Sequence, residues 1–94
     1  MIRVLIVEDS PTAREHMAAI LGTESDIEVV GQATDGAEGI REAIRLKPDV
    51  VTMDINMPNV DGHEATERIM SEVPTPIVVV PSVTREEMIH EGLD

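Results

Sequence analysis

The sequence alternates between short apolar runs and segments with a helical pattern, and this alternation constrains the fold more than any other feature. Four runs have the length and composition of strands, at residues 2–7, 27–30, 50–53 and 77–80. A helical pattern follows each run. Strict alternation predicts right-handed β-α-β crossovers, and therefore an α/β fold with a parallel sheet and helices on both faces.

The first helix has a clear beginning and a clear apolar pattern. Ser10 suits its N-cap, and Pro11 suits its first position, where a missing N–H removes no hydrogen bond. Gly22 is a plausible end of the helix. The apolar residues are spaced to form one buried stripe along it, namely Ala13, Met17, Ile20 and Leu21.

Turn signals place the remaining helices. Asp35 and Gly36 begin the second, and Lys47 before Pro48 ends it, because a residue before proline avoids helical geometry. Its predicted apolar face consists of Ala37, Ile40 and Ile44. Two further helices are predicted, at residues 63–70 and from Thr84 onward.

Composition excludes several classes of protein. The chain has 7 basic and 19 acidic residues, a net charge of −12, which argues against direct nucleic-acid binding. It has no cysteine, so disulfides, thiol nucleophiles and zinc-thiolate sites are excluded. No apolar stretch is long enough to span a bilayer, and the chain opens on a strand pattern rather than a signal peptide. We expect a cytoplasmic domain without membrane contact.

Acidic residues follow two of the predicted strands. Asp54 ends the third apolar run, and Glu8 and Asp9 follow the first. In an open parallel α/β sheet, ligands bind outside the carboxyl ends of the strands. If the two strands are neighbours, three carboxylates converge there and repel one another unless a cation neutralises them. Hard oxygen ligands of this kind suit Mg²⁺.

With these residues in view, the chain resembles the response-regulator receiver domain of two-component signalling. Five motifs carry the resemblance in the expected order, at residues 4–10, 33–38, 47–51, 53–62 and 75–80. Residues 52–58 make it similar in particular to receivers of chemotaxis methylesterases. The resemblance implies a single receiver domain over residues 1–94, folded as a flavodoxin-like three-layer sandwich with a parallel sheet of order 2-1-3-4.

The resemblance also implies roles for individual residues. Asp54 would be the phosphoacceptor, and Mg²⁺ would be bound by the carboxylates of Asp9 and Asp54, by the backbone carbonyl of Asn56, and by Glu8 through water. Bound Mg²⁺ offsets the repulsion between a carboxylate and a phosphoryl group. The donor would be a histidine kinase, a phosphotransfer protein or a small acyl phosphate. The domain itself would not be an enzyme, although a methylesterase effector could follow it in the parent chain.

The chain departs from the family near its end. Pro81 stands where receivers carry a switch Ser or Thr, so Ser82 and Thr84 become the candidate hydroxyls. The fifth strand, the invariant lysine and the last helix are absent, which we interpret as a C-terminal truncation. Lys47 precedes the third strand and belongs at the opposite end of the sheet from Asp54, so no residue replaces the catalytic lysine. We therefore expect at least one carboxylate to hold its proton more tightly without Mg²⁺.

Two further expectations concern assembly and function. Residues 77–80 would form an exposed apolar edge, which predicts a homodimer through the fourth strand and adjacent helices. The alternative function is a pseudo-receiver that acts as a phosphorylation-independent interaction module, favoured by Pro81 and the absent lysine. A Mg²⁺-dependent phosphohydrolase is disfavoured, because the position two residues after Asp54 is Asn56 rather than an aspartate.

Overall fold

The fold alternates strands and helices along the chain. The computed structural model describes residues 1–54 and 62–80. Their elements are β1 (Ile2–Val7), α1 (Pro11–Gly22), β2 (Ile27–Ala33), α2 (Gly36–Leu46), β3 (Val50–Asp54), α3 (Gly62–Glu72) and β4 (Ile77–Val80). The first and last predicted strands have these bounds, while β2 continues to Ala33 and β3 to Asp54. The helix predicted from Thr84 lies outside the described residues.

The strands form one four-stranded sheet of order β2-β1-β3-β4, and all neighbouring pairs are parallel. This arrangement confirms the predicted α/β class and strand order. The connection after β1 leads to β2 and the connection after β3 leads to β4, so the chain leaves these two neighbouring strands in opposite directions. The carboxyl ends of β1 and β3 therefore flank the point where a ligand crevice forms in such sheets.

One face of the sheet is covered by α2 and α3, and this face contains the main hydrophobic cluster. Strand side chains alternate between faces, so Leu5 and Val7 of β1 point to the same side as Val51 and Met53 of β3. The helices contribute mostly small residues and branched aliphatic residues. The buried members of the cluster are Leu5, Val7, Ala33, Ile40, Ala43, Val51, Met53, Ala65 and Ile69.

A glycine brings α2 close to the end of β1. A Cβ atom added at Gly39 would lie 3.0 Å from both Cγ atoms of Val7, which is tighter than an ordinary contact. The other buried residues of α2 are Gly36, Ile40 and Ala43. The predicted apolar face was therefore wrong for Ile44, which is 42% exposed. The packed side of this helix includes two glycines besides Ile40 and Ala43, and a pattern of apolar side chains does not identify glycines.

The other face of the sheet is covered by α1. The Thr52 hydroxyl donates a hydrogen bond to the Met17 sulfur at 3.3 Å, and Thr52 points away from the face that carries Met53. Helices thus lie on both faces, as the three-layer fold requires. No residue of α1 is buried, however, and Ile20 is 55% exposed. The predicted buried stripe was wrong because α1 lies against β1 and β2 with no second helix beside it in the described part of the chain.

The amino end of the sheet is fixed by backbone and side-chain hydrogen bonds. The Arg3 N–H donates to the Asp49 carboxylate at 2.8 Å, and the Arg3 guanidinium donates to the Lys47 carbonyl at 3.0 Å. Lys47 ends α2 in the left-handed region, with φ of 47°, and its N–H donates to Ala43 O at 2.9 Å. These contacts place Lys47 at the amino end of β3, opposite to Asp54.

The left-handed conformation of Lys47 yields a stability prediction. Replacing Lys47 with Gly should raise the free energy of unfolding by about 1 kcal/mol, because glycine adopts positive φ without the steric cost that a Cβ atom adds. Lys47→Ala keeps the Cβ atom and should give no such gain. Urea unfolding followed by circular dichroism would measure both variants, and equal stability of the two would contradict the explanation.

Candidate functional site

The register of β1 with β3 brings the acidic residues together. Val7 lies opposite Met53, so Glu8 and Asp54, the next residues in each chain segment, lie side by side. One carboxylate oxygen from each of Glu8, Asp9 and Asp54 lies within 4.8 Å of the others. Asp54 is 1% exposed and Glu8 is 6% exposed, whereas Asp9 is exposed. Two buried acids and one accessible acid thus form a single cluster, which we call the acidic site.

The connection from β1 to α1 is built around Glu8. The Glu8 N–H donates to Ala33 O at 3.0 Å, which continues the pairing of β1 with β2 beyond the last strand residue. The Ser10 N–H donates to the Glu8 carboxylate at 3.2 Å. Ser10 is also the N-cap of α1, since its hydroxyl accepts a hydrogen bond from Ala13 N at 3.3 Å. The loop that carries Asp9 is therefore anchored at both ends.

Electrostatics in the acidic site favour retention of a proton. Burial raises the pKa of Glu8 from 4.5 to about 7, and the nearby charges of Asp54 and Asp9 act in the same direction, as does a hydrogen bond with Asp54. The Ser10 N–H opposes the shift by stabilising the carboxylate. Without a cation, burial and the neighbouring acidic groups therefore favour the protonated form of Glu8.

The donor set fits a hard divalent cation. The acidic site offers only carboxylate oxygens, the ligands that Mg²⁺ prefers, and no nitrogen or sulfur. Opposite ligands of an octahedral Mg²⁺ are about 4.2 Å apart, close to the 4.8 Å that bounds the oxygens here. The spacing of the three carboxylates is therefore close to what one such ion requires. Glu8, Asp9 and Asp54 together could hold such an ion.

Four other predicted site residues are not described by the structure, and one lies far from the acidic site. Asn56, Pro81, Ser82 and Thr84 lie outside the described residues. Lys47 lies at the opposite end of the sheet. One contact of the acidic site was missed by the sequence analysis: Arg14 donates to the backbone carbonyl of Glu8 at 2.9 Å. No sequence signal identifies this contact, because its acceptor is a backbone atom.

Residues 4–94 match the response regulator receiver domain. The chain belongs to this family. As a receiver domain, it has the expected strand order, and its acidic site occupies the carboxyl end of the sheet. No helix in the described ranges is long and apolar enough to cross a membrane.

Methylesterases are among the relatives most similar to this receiver domain. It is 55% identical over 80 residues to protein-glutamate methylesterase/protein-glutamine glutaminase 1 of Syntrophus aciditrophicus, covering 85% of this chain and 23% of that protein. It is 49% identical over 86 residues to the protein of the same name from Thermotoga maritima, covering 92% and 25%. The chain thus spans about a quarter of the length of these relatives.

Solved structures show the same fold. The response regulator domain of Thermotoga maritima CheB is 49% identical, with a TM-score of 0.86 over 92% of this chain and 64% of that one. The CheX–CheY–BeF₃–Mg²⁺ complex of Borrelia burgdorferi matches at 26% identity and a TM-score of 0.81, over 98% and 70% of the two chains. The receiver domain is therefore similar to chemotaxis receivers in both sequence and structure.

The raised pKa of Glu8 predicts an unusual pH dependence of stability. The folded protein holds a proton that the unfolded chain releases, so the free energy of unfolding should fall as the pH rises from 4.5 to about 7. The loss from this group is at most about 3 kcal/mol. Below this window the group contributes no slope, because Glu8 is protonated in both states.

Glu8→Gln provides the matched control, because glutamine stays neutral at every pH. The variant and the wild type should be similarly stable at pH 4, and the variant should be more stable at pH 8 in the absence of divalent cations. Urea unfolding at both pH values would measure the difference. If the free energy of unfolding changes equally with pH in the two proteins, Glu8 is not the group that titrates.

Proposed function

We propose that this chain is a phosphoacceptor receiver domain that takes a phosphoryl group on Asp54 with Mg²⁺ and thereby switches a partner. The observation that carries the proposal is the buried Asp54 carboxylate at the end of β3, with oxygens of Glu8 and Asp9 within 4.8 Å. Such a domain acts in signalling and does not turn over a substrate. Its donor would be a histidine kinase, a phosphotransfer protein or a small acyl phosphate.

The residues divide the chemistry between them. An Asp54 oxygen attacks the phosphorus atom and forms a new P–O bond, while the bond from phosphorus to the donor breaks and the donor keeps the electron pair. Asp9 and Asp54 would hold the cation directly, and Glu8 would act through water. Mg²⁺, when bound, offsets the repulsion between these carboxylates and the incoming phosphoryl oxygens. The Asn56 carbonyl is proposed as a further ligand, and Ser82 or Thr84 as the switch hydroxyl.

Two comparisons support the proposal. The CheY structure from Borrelia burgdorferi is a complex with BeF₃ and Mg²⁺. The methylesterase relatives are about four times as long as this chain, which covers 23% and 25% of two of them. We therefore propose that the whole protein carries a methylesterase or glutaminase effector that this cytoplasmic receiver domain controls.

Phosphorylation of Asp54 is directly testable. Incubation of the wild type with acetyl phosphate and Mg²⁺ should add one phosphoryl group per chain, measured by intact mass spectrometry. Asp54→Asn should abolish the addition, because an amide does not replace the nucleophilic carboxylate. Asp26→Asn is the matched control: Asp26 is an exposed aspartate at the opposite end of the sheet, where its backbone carbonyl accepts a hydrogen bond from Ile2 N.

Two results would contradict this assignment. Phosphorylation that persists in Asp54→Asn would move the acceptor to another residue. A wild type that takes up no phosphoryl group and gives no Mg²⁺-dependent spectral change with beryllofluoride would favour the pseudo-receiver instead.

The homodimer is a separate proposal about the surface of β4. This strand lies at an edge of the described sheet, and Val78 and Val79 are 52% and 46% exposed. Light scattering at high micromolar concentration should give a dimer mass that Val78→Thr shifts toward the monomer. Ile44→Thr, at a similarly exposed position on α2, serves as the control. A strictly monomeric wild type would overturn the proposal.

A further inference from the structure

Arg14 joins the first turn of α1 to the end of β1. Its Nη1 atom donates a hydrogen bond to the backbone carbonyl oxygen of Glu8 at 2.9 Å, and the residue is half-buried. Its own N–H donates to Ser10 O at 2.9 Å, which places Arg14 one helical turn beyond the N-cap. The side chain thus reaches back from the helix across the loop that carries Asp9.

The backbone of Glu8 is consequently held from two directions. Its N–H donates to Ala33 O of β2 at 3.0 Å, and its carbonyl accepts from the Arg14 guanidinium at 2.9 Å. That carbonyl belongs to the peptide unit that joins Glu8 to Asp9. Its orientation therefore determines where the Asp9 carboxylate lies relative to those of Glu8 and Asp54.

A charged donor suits this task. Hydrogen bonds from a guanidinium are roughly twice as strong as those between neutral groups, and the planar group keeps its orientation better than a lysine ammonium does. The Arg14 contact is made with the backbone carbonyl of Glu8 rather than with its carboxylate. Residues that orient metal ligands in this indirect way typically change metal affinity by roughly 10–100-fold when they are removed.

We propose that Arg14 is a positioning residue of the acidic site, which fixes the Glu8–Asp9 peptide so that the Asp9 carboxylate is presented to Mg²⁺. The proposal rests on the proposed function, because it assumes that the acidic site binds Mg²⁺. It assigns Arg14 no contact with the phosphoryl group. Its effect should therefore appear first in Mg²⁺ affinity, before any phosphoryl donor is added.

The test compares three variants of the full 94-residue chain. Arg14→Met removes the donor and keeps much of the apolar stem, Arg14→Lys keeps a donor on a flexible stem, and Arg41→Met removes an exposed arginine from α2. Mg²⁺ dissociation constants come from titrations followed by the backbone amide signals of Glu8 and Asp9 in NMR spectra. The Mg²⁺ dissociation constant of Arg14→Met should be about tenfold or more above that of the wild type. The constant of Arg14→Lys should lie between these two values, and that of Arg41→Met should equal the wild-type value.

Two additional measurements separate positioning from other effects. In about 0.5 M NaCl the Debye length is only a few ångströms, so an effect of the Arg14 charge at a distance should weaken, whereas the loss caused by a missing hydrogen bond should persist. In the metal-free protein, hydrogen exchange at the Asp9 amide should be faster in Arg14→Met than in Arg41→Met. If Arg14→Met does not fold, the comparison of Arg14→Lys with the wild type replaces it. The Mg²⁺ affinity of Arg14→Lys should then be lower than that of the wild type by roughly threefold or more.

The outcomes distinguish the proposals. The role of Arg14 is overturned if the wild type binds Mg²⁺ and is phosphorylated while the Mg²⁺ affinity of Arg14→Met lies within about twofold of the wild-type value. The proposed function stays intact in that case. The same holds if the loss disappears at high salt, or if Arg14→Lys binds as weakly as Arg14→Met. A wild type that binds no Mg²⁺ overturns both proposals.

Discussion

The parallel pairing of β1 with β3 is the constraint on which the rest of the structure depends. It places Val7 opposite Met53, and so it puts the last residue of β3 beside the first residue after β1. A shift of one residue in this register would turn the apolar side chains toward the wrong faces of the sheet. The same register that buries the core therefore forces two acidic side chains together at its end.

The closeness of Glu8 and Asp54 explains which groups surround the acidic site. A buried carboxylate is unfavourable unless it is hydrogen-bonded, neutralised or protonated. Here the Ser10 N–H supports the Glu8 carboxylate, and a raised pKa lets Glu8 keep a proton. Main-chain bonds to Ala33 and Arg14 hold the strand end while these groups repel one another. The scaffold tolerates an electrostatic conflict that a cation would relieve.

Sequence reasoning succeeded where one physical signal dominated. The apolar runs of β1 and β4 gave their bounds, and the Ser10-Pro11 pair gave the start of α1. The strand order followed from family resemblance, because local periodicity carries no information about which strands pair. Predictions failed at Ile20 and Ile44, where exposure depends on which helices lie nearby. The contact of Arg14 was missed because it ends on a backbone atom, to which residue type gives no clue.

Gly39 shows how a residue without a side chain belongs to the chemistry of this domain. The helix passes so close to Val7 that an added methyl group would be in tight contact with it, and Val7 directly precedes Glu8. A side chain at this position would require the Val7 side chain to move by tenths of an ångström, one residue before the acidic site begins. Searches that rank positions by their functional groups would overlook Gly39, although the packing beside the acidic site leaves little room for a side chain there.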